Sequence, residues 1–87
     1  MYKYAKDGIS VLTILDTRRK KRSGLFPVKI QVIHNRVQKY YATGKELTPE
    51  DWRRLPESKV RKLIEIREDV GSSFSIIKQN VEKINHQ

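Results

Sequence analysis

A cleanly alternating segment constrains the fold of this chain more than any other feature of its sequence. Within residues 26–34, the β-branched side chains from Val28 to Val32 alternate with Lys29 and Gln31. Alternation with a period of two residues is typical of a strand that buries one face and exposes the other. The segment therefore predicts a strand whose Lys29 and Gln31 side chains point away from the core.

Two turn residues predict the partner of this strand. Asn35 and Arg36 fit a two-residue hairpin loop, after which residues 37–43 return as an antiparallel strand that Gly44 ends. The register then pairs His34 with Val37, Val32 with Lys39, Gln31 with Tyr40, and Ile30 with Tyr41. The inner face carries Val28, Ile30, Val32 and Tyr41, and the outer face carries Lys29, Gln31, Gln38, Tyr40 and Ala42.

A third strand is expected earlier in the chain. Residues 9–17 are rich in β-branched side chains and lack a helix cap. One face of this strand would carry Val11, Thr13 and Leu15, and the other Leu12 and Ile14. Either face fits the core. The expected sheet has three antiparallel strands at about residues 9–44, after a flexible N-terminus at residues 1–8.

A helical region is expected at about residues 48–86. Thr48 as N-cap and Pro49 at the first helical position predict a short helix. Residues 58–85 then place apolar side chains three and four positions apart, at Val60, Leu63, Val70, Phe74, Ile77, Val81 and Ile84. Because Gly-Ser-Ser at residues 71–73 interrupts this pattern, the segment can form either one helix or two. The expected fold is α+β, one domain over residues 9–87 with the helical part packed on one face of the sheet.

The charge of the chain is confined to its first half. Residues 1–45 carry 11 Lys or Arg and two Asp, whereas residues 46–87 carry eight basic and eight acidic residues. The whole net charge of +9 therefore belongs to the segment that predicts the sheet. A localised basic surface is typical of a protein that binds a polyanion, and nucleic acid is the leading candidate.

Composition argues against several other classes of protein. There is no Cys and there are two His in 87 residues, so thiolate metal sites are excluded and histidine sites are disfavoured. No nucleophile and base spacing, phosphate loop or dinucleotide motif is present. No apolar run approaches the roughly 18 residues of a membrane span. We expect a cytoplasmic, non-catalytic protein that needs no metal or cofactor and has no membrane partner.

The candidate DNA-contacting residues fall into two groups. The first is a basic loop, Arg18, Arg19, Lys20, Lys21 and Arg22, in which cations suit phosphate contacts. The second consists of Lys29, Gln31, Gln38 and Tyr40 on the outer face and Arg36 at the hairpin turn. Lys can donate to guanine and Gln can form a bidentate pair with adenine, so these side chains suit base readout in the major groove. Two alternatives stay open: an RNA-binding basic domain, and a protein-interaction module that uses the apolar helix.

Four segments of the chain together resemble a known family. They are residues 11–21 (VLTILDTRRKK), 24–36 (GLFPVKIQVIHNR), 39–44 (KYYATG) and 47–52 (LTPEDW). In order and spacing they are similar to the N-terminal arm-type DNA-binding domain of tyrosine-recombinase integrases, especially those of conjugative transposons of Bacteroides-type bacteria. The similarity spans about residues 9–85.

This resemblance implies a function and a set of partners. It implies a three-stranded sheet that enters the major groove of arm-type sites in double-stranded DNA during DNA integration. It also implies that the parent protein is a tyrosine recombinase, whose core-binding and catalytic domains lie elsewhere in the same chain, and that accessory recombination proteins act with it.

Overall fold

Four antiparallel strands and two helices follow one another in the computed structural model, which describes residues 2–18 and 23–85. The strands are β1 (Lys3–Lys6), β2 (Ile9–Leu15), β3 (Phe26–His34) and β4 (Val37–Leu47), and the helices are α1 (Pro49–Arg54) and α2 (Arg61–Asn85). The strands form one sheet in the order β1-β2-β3-β4. The α+β class is confirmed, but the expectation of three strands is wrong because the described residues form four.

The additional strand lies in the segment that the sequence assigns to a flexible N-terminus. β1 pairs with β2, with Tyr4 opposite Val11. Tyr2 fixes its start: the Tyr2 N–H donates to Thr13 Oγ1 at 2.9 Å, and the Thr13 N–H donates to the Tyr2 carbonyl at 3.1 Å. The Tyr2 ring also stacks on Phe74 of α2, with ring centroids 5.5 Å apart. Aromatic packing and a specific hydrogen-bond pair thus order a strand that carries no alternating run of aliphatic residues.

The predicted hairpin is confirmed. β3 and β4 pair His34 with Val37, Val32 with Lys39, Gln31 with Tyr40 and Ile30 with Tyr41. Asn35 and Arg36 both have positive φ, 51° and 65°, as a two-residue hairpin turn that matches strand twist requires. Asn tolerates this region readily, whereas Arg36 adopts it at some cost.

β4 continues beyond the residue that was expected to end it. Between Ala42 and Glu46 the strand contains an irregularity opposite Val28, and Gly44 has φ +79°. Thr43 stabilises this bulge, because its Oγ1 donates to the Val28 carbonyl at 2.7 Å and accepts from the Lys45 N–H at 3.2 Å. A glycine with positive φ suits a bulge as well as a strand end, and here the bulge is what forms.

The core lies between α2 and one face of the sheet. β2 turns Ile9, Val11 and Thr13 inward, which settles the face that the sequence left open. Two groups of buried side chains fill the core: Ile9, Val11, Ile30, Phe74 and Val81 form one, and Val28, Leu47, Leu55, Leu63 and Val70 form the other. The opposite side of the sheet, which we call the outer face, has no helix packed on it among the described residues.

The helical region is one short and one long helix. Thr48 caps α1 by accepting from the Asp51 N–H at 3.1 Å, with Pro49 at the first helical position, as predicted. α2 runs without a break through residues 71–73. Val60 was expected in its buried stripe but precedes the helix and is 60% exposed.

Arg67 interrupts the apolar stripe of α2 for a structural reason. Its Nη1 donates to the carbonyls of Leu55 and Pro56 at 2.9 Å and of Ser58 at 3.3 Å. These carbonyls lie at and just beyond the end of α1, where no intrahelical donor is available. Arg67 therefore joins the connection between the two helices to the middle of α2.

Candidate nucleic-acid interface

The outer face presents rows of side chains that cross three strands. The register places Leu12, Gln31 and Tyr40 in one row, Ser10, Ile33 and Gln38 in a second, and Ile14, Lys29 and Ala42 in a third. Because successive side chains of a strand point to opposite faces, all nine lie on the side away from the core. The predicted outer-face residues are therefore brought together.

Three polar side chains on β3 and β4 form a hydrogen-bonded group. Gln31 Nε2 donates to Tyr40 Oη at 3.1 Å and to Gln38 Oε1 at 3.3 Å, and Tyr40 Oη donates to Gln38 Oε1 at 2.9 Å. Each of these contacts lies on the exposed surface of the sheet, where water competes for the same atoms. The group therefore holds the two amides in a defined arrangement while leaving them able to exchange partners with a ligand.

A buried carboxylate next to this group organises two cations. Asp16 follows β2 and is 2% exposed. Its Oδ1 accepts from Arg18 Nε at 2.9 Å and from the Arg18 backbone N–H at 3.1 Å, and its Oδ2 accepts from Arg18 Nη2 at 3.0 Å. Lys29 Nζ donates to the same Oδ2 at 2.7 Å. The hydrogen bonds from Arg18, and then the one from Lys29, hold the pKa of the Asp16 carboxyl well below its usual range.

Arg18 links the Asp16 carboxylate to the hydrogen-bonded side chains of Gln31, Gln38 and Tyr40. Its guanidinium carbon lies 4.8 Å from the centroid of the Tyr40 ring, within the range of a cation–π contact. Five of the ten predicted residues thus form one continuous surface: Arg18, Lys29, Gln31, Gln38 and Tyr40.

The structure changes the interpretation of Lys29. The sequence treats it as an outer-face donor available to a base, but its side chain is 21% exposed and ion-paired with Asp16. One of its three ammonium hydrogens is therefore committed to the carboxylate. Lys29 therefore both contributes charge to the surface and holds the Asp16 carboxylate in place.

The other predicted residues lie apart from this surface or outside the described part of the chain. Arg36 is exposed at the hairpin turn. Arg19, Lys20, Lys21 and Arg22 lie outside the described residues. The phosphate contacts expected of these four residues therefore stay a prediction.

Sequence reasoning missed two parts of the surface. It counted Asp16 only as charge, although an acidic residue directly after an apolar strand in a basic half is an unusual placement. It also left the facing of β2 open, and so missed that Leu12, Ile14 and Ile33 lie half-buried beside the polar group on the outer face. Apolar side chains in such a position suit the methyl groups of thymine.

Three acidic side chains of α2 lie away from this surface. Glu65, Glu68 and Asp69 are exposed on α2, and Asp69 Oδ2 lies 3.0 Å from Lys45 Nζ. These three carboxylates are therefore separated from the outer face by the thickness of the sheet and its core.

Comparison with known proteins identifies the class of domain. Residues 13–87 match the model of a family described as an arm DNA-binding domain. The chain belongs to this family, a non-catalytic module whose partner is double-stranded DNA and which fits DNA integration and recombination. No curated protein and no solved structure matches the chain. None of the helices in the described residues is both long and apolar enough to span a bilayer.

Proposed function

We propose that this domain places the outer face of its sheet in the major groove of an arm-type DNA site, as the arm-binding module of a site-specific recombinase. The observation that carries the proposal is the continuous surface formed by Arg18, Lys29, Gln31, Gln38 and Tyr40. Its side chains offer cations and amides together, which are the groups that pair with guanine and adenine edges.

The dimensions of the sheet support this mode of binding. Neighbouring strands lie about 4.8 Å apart, so β2, β3 and β4 span about 10 Å between the outer two. The major groove of B-form DNA is about 12 Å wide. The distance between the outer two strand axes is therefore close to the groove width, and in this mode of binding the side chains of β3, the middle strand of the three, lie nearest the base edges.

The roles of individual residues follow from their positions. Gln31 and Gln38 suit bidentate pairing with adenine, since each offers a donor and an acceptor. Arg36 at the hairpin turn suits a phosphate contact, which positions the domain without reading sequence. The basic residues 19–22, which lie outside the described residues, suit phosphate contacts by their charge.

Membership of a larger recombinase gives this arrangement its purpose. Binding of a tethered module to an arm site raises the effective concentration of the rest of the protein at nearby DNA. We propose core-binding and catalytic domains in the same parent chain, with the mobile element a conjugative transposon and accessory recombination proteins as further partners.

A titration against three nucleic acids tests the class of partner. We expect duplex DNA to bind more tightly than single-stranded DNA or duplex RNA of matched length. With roughly five phosphate contacts, log affinity should fall against log salt with a slope of about −4 to −5. Preference for RNA would favour the RNA-binding alternative, and affinity that stays flat as salt rises would contradict this mode of binding. If the domain binds none of the three nucleic acids but associates with itself, the protein-interaction alternative is favoured.

A matched pair of variants tests the outer face itself. Gln38→Glu and Gln79→Glu each add one negative charge at an exposed position, the first on the outer face and the second on α2. We expect Gln38→Glu to lower duplex affinity about tenfold or more, because the new charge would enter the groove, and Gln79→Glu to change it less than about threefold. Equal effects of the two variants would show that the outer face is not the binding surface.

A further inference from the structure

We propose that Arg18 reads a guanine in the major groove and that the buried carboxylate of Asp16 positions its guanidinium to do so. This inference rests on the proposed function, and it assigns Arg18 a role different from that of the basic loop in which it stands. The loop was expected to contact phosphates, whose recognition carries no sequence information. Base recognition needs a fixed orientation, and the structure provides one for Arg18 in particular.

The hydrogen bonds of Arg18 leave the appropriate edge of the guanidinium for a base. Asp16 engages Nε and Nη2, the pair on the side edge of the planar group. The end edge, formed by Nη1 and the second hydrogen of Nη2, points in a different direction in the same plane. Two parallel donors on that edge match the O6 and N7 acceptors of guanine, the commonest specific contact in the major groove.

Three further contacts restrict the side chain to this orientation. The Arg18 backbone N–H also donates to Asp16 Oδ1, which holds the backbone at the base of the Arg18 side chain. The Tyr40 ring lies 4.8 Å from the guanidinium carbon and limits its rotation out of the plane. Lys29 donates to the other carboxylate oxygen and holds the carboxylate itself. The Arg18 side chain is nevertheless 63% exposed, so it is restrained and still accessible.

This arrangement is inefficient for a phosphate contact. The carboxylate removes one unit of positive charge from a surface that would otherwise attract phosphates more strongly. A buried carboxylate beside two cations is consistent with a need for orientation, since a restrained donor loses less conformational freedom when it binds a base. If the cluster serves phosphate contacts, removing Asp16 should strengthen binding to every duplex. If it orients Arg18, removing Asp16 should abolish the guanine preference.

The experiment begins by selecting the preferred site of the unmodified domain from a duplex library with a randomised central segment. Affinity is then measured for this site, for versions with each guanine replaced, and for an unrelated duplex. We expect one guanine at which replacement by another base, or by an analogue that lacks N7, weakens binding about 5- to 150-fold. In Arg18→Lys, which keeps the charge, we expect the ratio of affinities for this site and for its guanine-replaced version to fall to about one.

Asp16→Asn separates positioning from folding and from charge. We expect the variant to lose the guanine preference as Arg18→Lys does, yet to bind the unrelated duplex at least as tightly, because its net charge is more positive. Asp69→Asn is the matched control: it also removes a carboxylate paired with a cation, Lys45, but on the helical side. It should strengthen binding to the unrelated duplex and leave the guanine preference unchanged. The double variant of Asp16 and Arg18 should lose no more preference than either alone.

Each contrary result has a defined meaning. A library that yields no preferred sequence overturns the proposed function, and this inference with it. A preferred sequence that Arg18→Lys reads as well as the unmodified domain overturns the inference alone. If Asp16→Asn weakens both duplexes in proportion to a loss of folded protein, Asp16 is structural, and the Arg18→Lys result still decides whether Arg18 reads the base.

Discussion

Replacing Gly71 with alanine should destabilise this domain, although the same change stabilises most helices. An interior helix glycine costs about 0.5–1 kcal/mol relative to alanine. At this position, however, an added Cβ would lie 2.7 Å from the hydroxyl oxygen and 3.0 Å from Cζ of Tyr2. Real Cβ atoms do not approach other atoms so closely, so Tyr2 would have to move away from α2.

The cost of moving Tyr2 sets the size of the effect. Its hydroxyl donates to the Arg67 carbonyl at 3.2 Å, a contact worth about 1 kcal/mol. Its stack on Phe74 contributes about 0.5–1.5 kcal/mol more. Subtracting the helix-propensity gain leaves a net destabilisation of about 0.5–2 kcal/mol for Gly71→Ala.

A double-mutant cycle followed by urea unfolding and circular dichroism measures this effect. In a Tyr2→Ala background the steric conflict is absent, so Gly71→Ala should become stabilising by about 0.5–1 kcal/mol. Ser72→Ala, at an exposed neighbouring position of α2, should have the same small effect in both backgrounds. If Gly71→Ala stabilises both backgrounds equally, Tyr2 does not pack on α2 and does not order β1 through that contact.

Three further predictions concern the core, the buried carboxylate and the connection between helices. Ile30→Ala should destabilise by about 2–5 kcal/mol, because the side chain is completely buried, whereas Gln31→Ala should keep stability within about 0.5 kcal/mol; thermal unfolding of both decides, and exchanged results would mean that the faces are inverted. Because the folded-state pKa of Asp16 lies below the unfolded value of about 3.9, its contribution to stability is complete above about pH 5 and falls as the pH drops towards the folded-state pKa; urea midpoints across this range should fall less steeply in Asp16→Asn. Arg67→Met should destabilise by about 1–3 kcal/mol in the same assay, because three carbonyls lose their donor, and an unchanged midpoint would show that water replaces it without cost.

The hairpin could be predicted from the sequence because its determinants are local. Alternation over residues 26–34 defines two faces, and the two turn residues Asn35 and Arg36 fix the register between neighbouring strands. Once those are known, the outer positions of Gln31 and Tyr40 follow without further information. The same reasoning applies to the capped start of α1.

The parts that could not be predicted depend on contacts between distant segments. β1 forms because Tyr2 packs against Gly71 and Phe74, almost the whole chain away. Without these partners in view, four residues with two lysines resemble a disordered terminus. Asp16 is a similar case: its burial depends on Lys29 from another strand, and its charge alone gives no indication of that contact.

The separation of charge between the two sides of the domain has a consequence for the rate of binding. Among the described residues, those up to Lys45 carry seven basic and two acidic side chains, whereas those from Glu46 onward carry eight of each sign. The centre of charge is therefore displaced from the centre of mass towards the sheet, which gives the domain an electric dipole. In the field of a duplex, such a molecule rotates before contact, so that collisions occur more often with the sheet forward. Productive encounters become more frequent than random orientation allows, and this advantage declines as ions screen the field beyond about 10 Å.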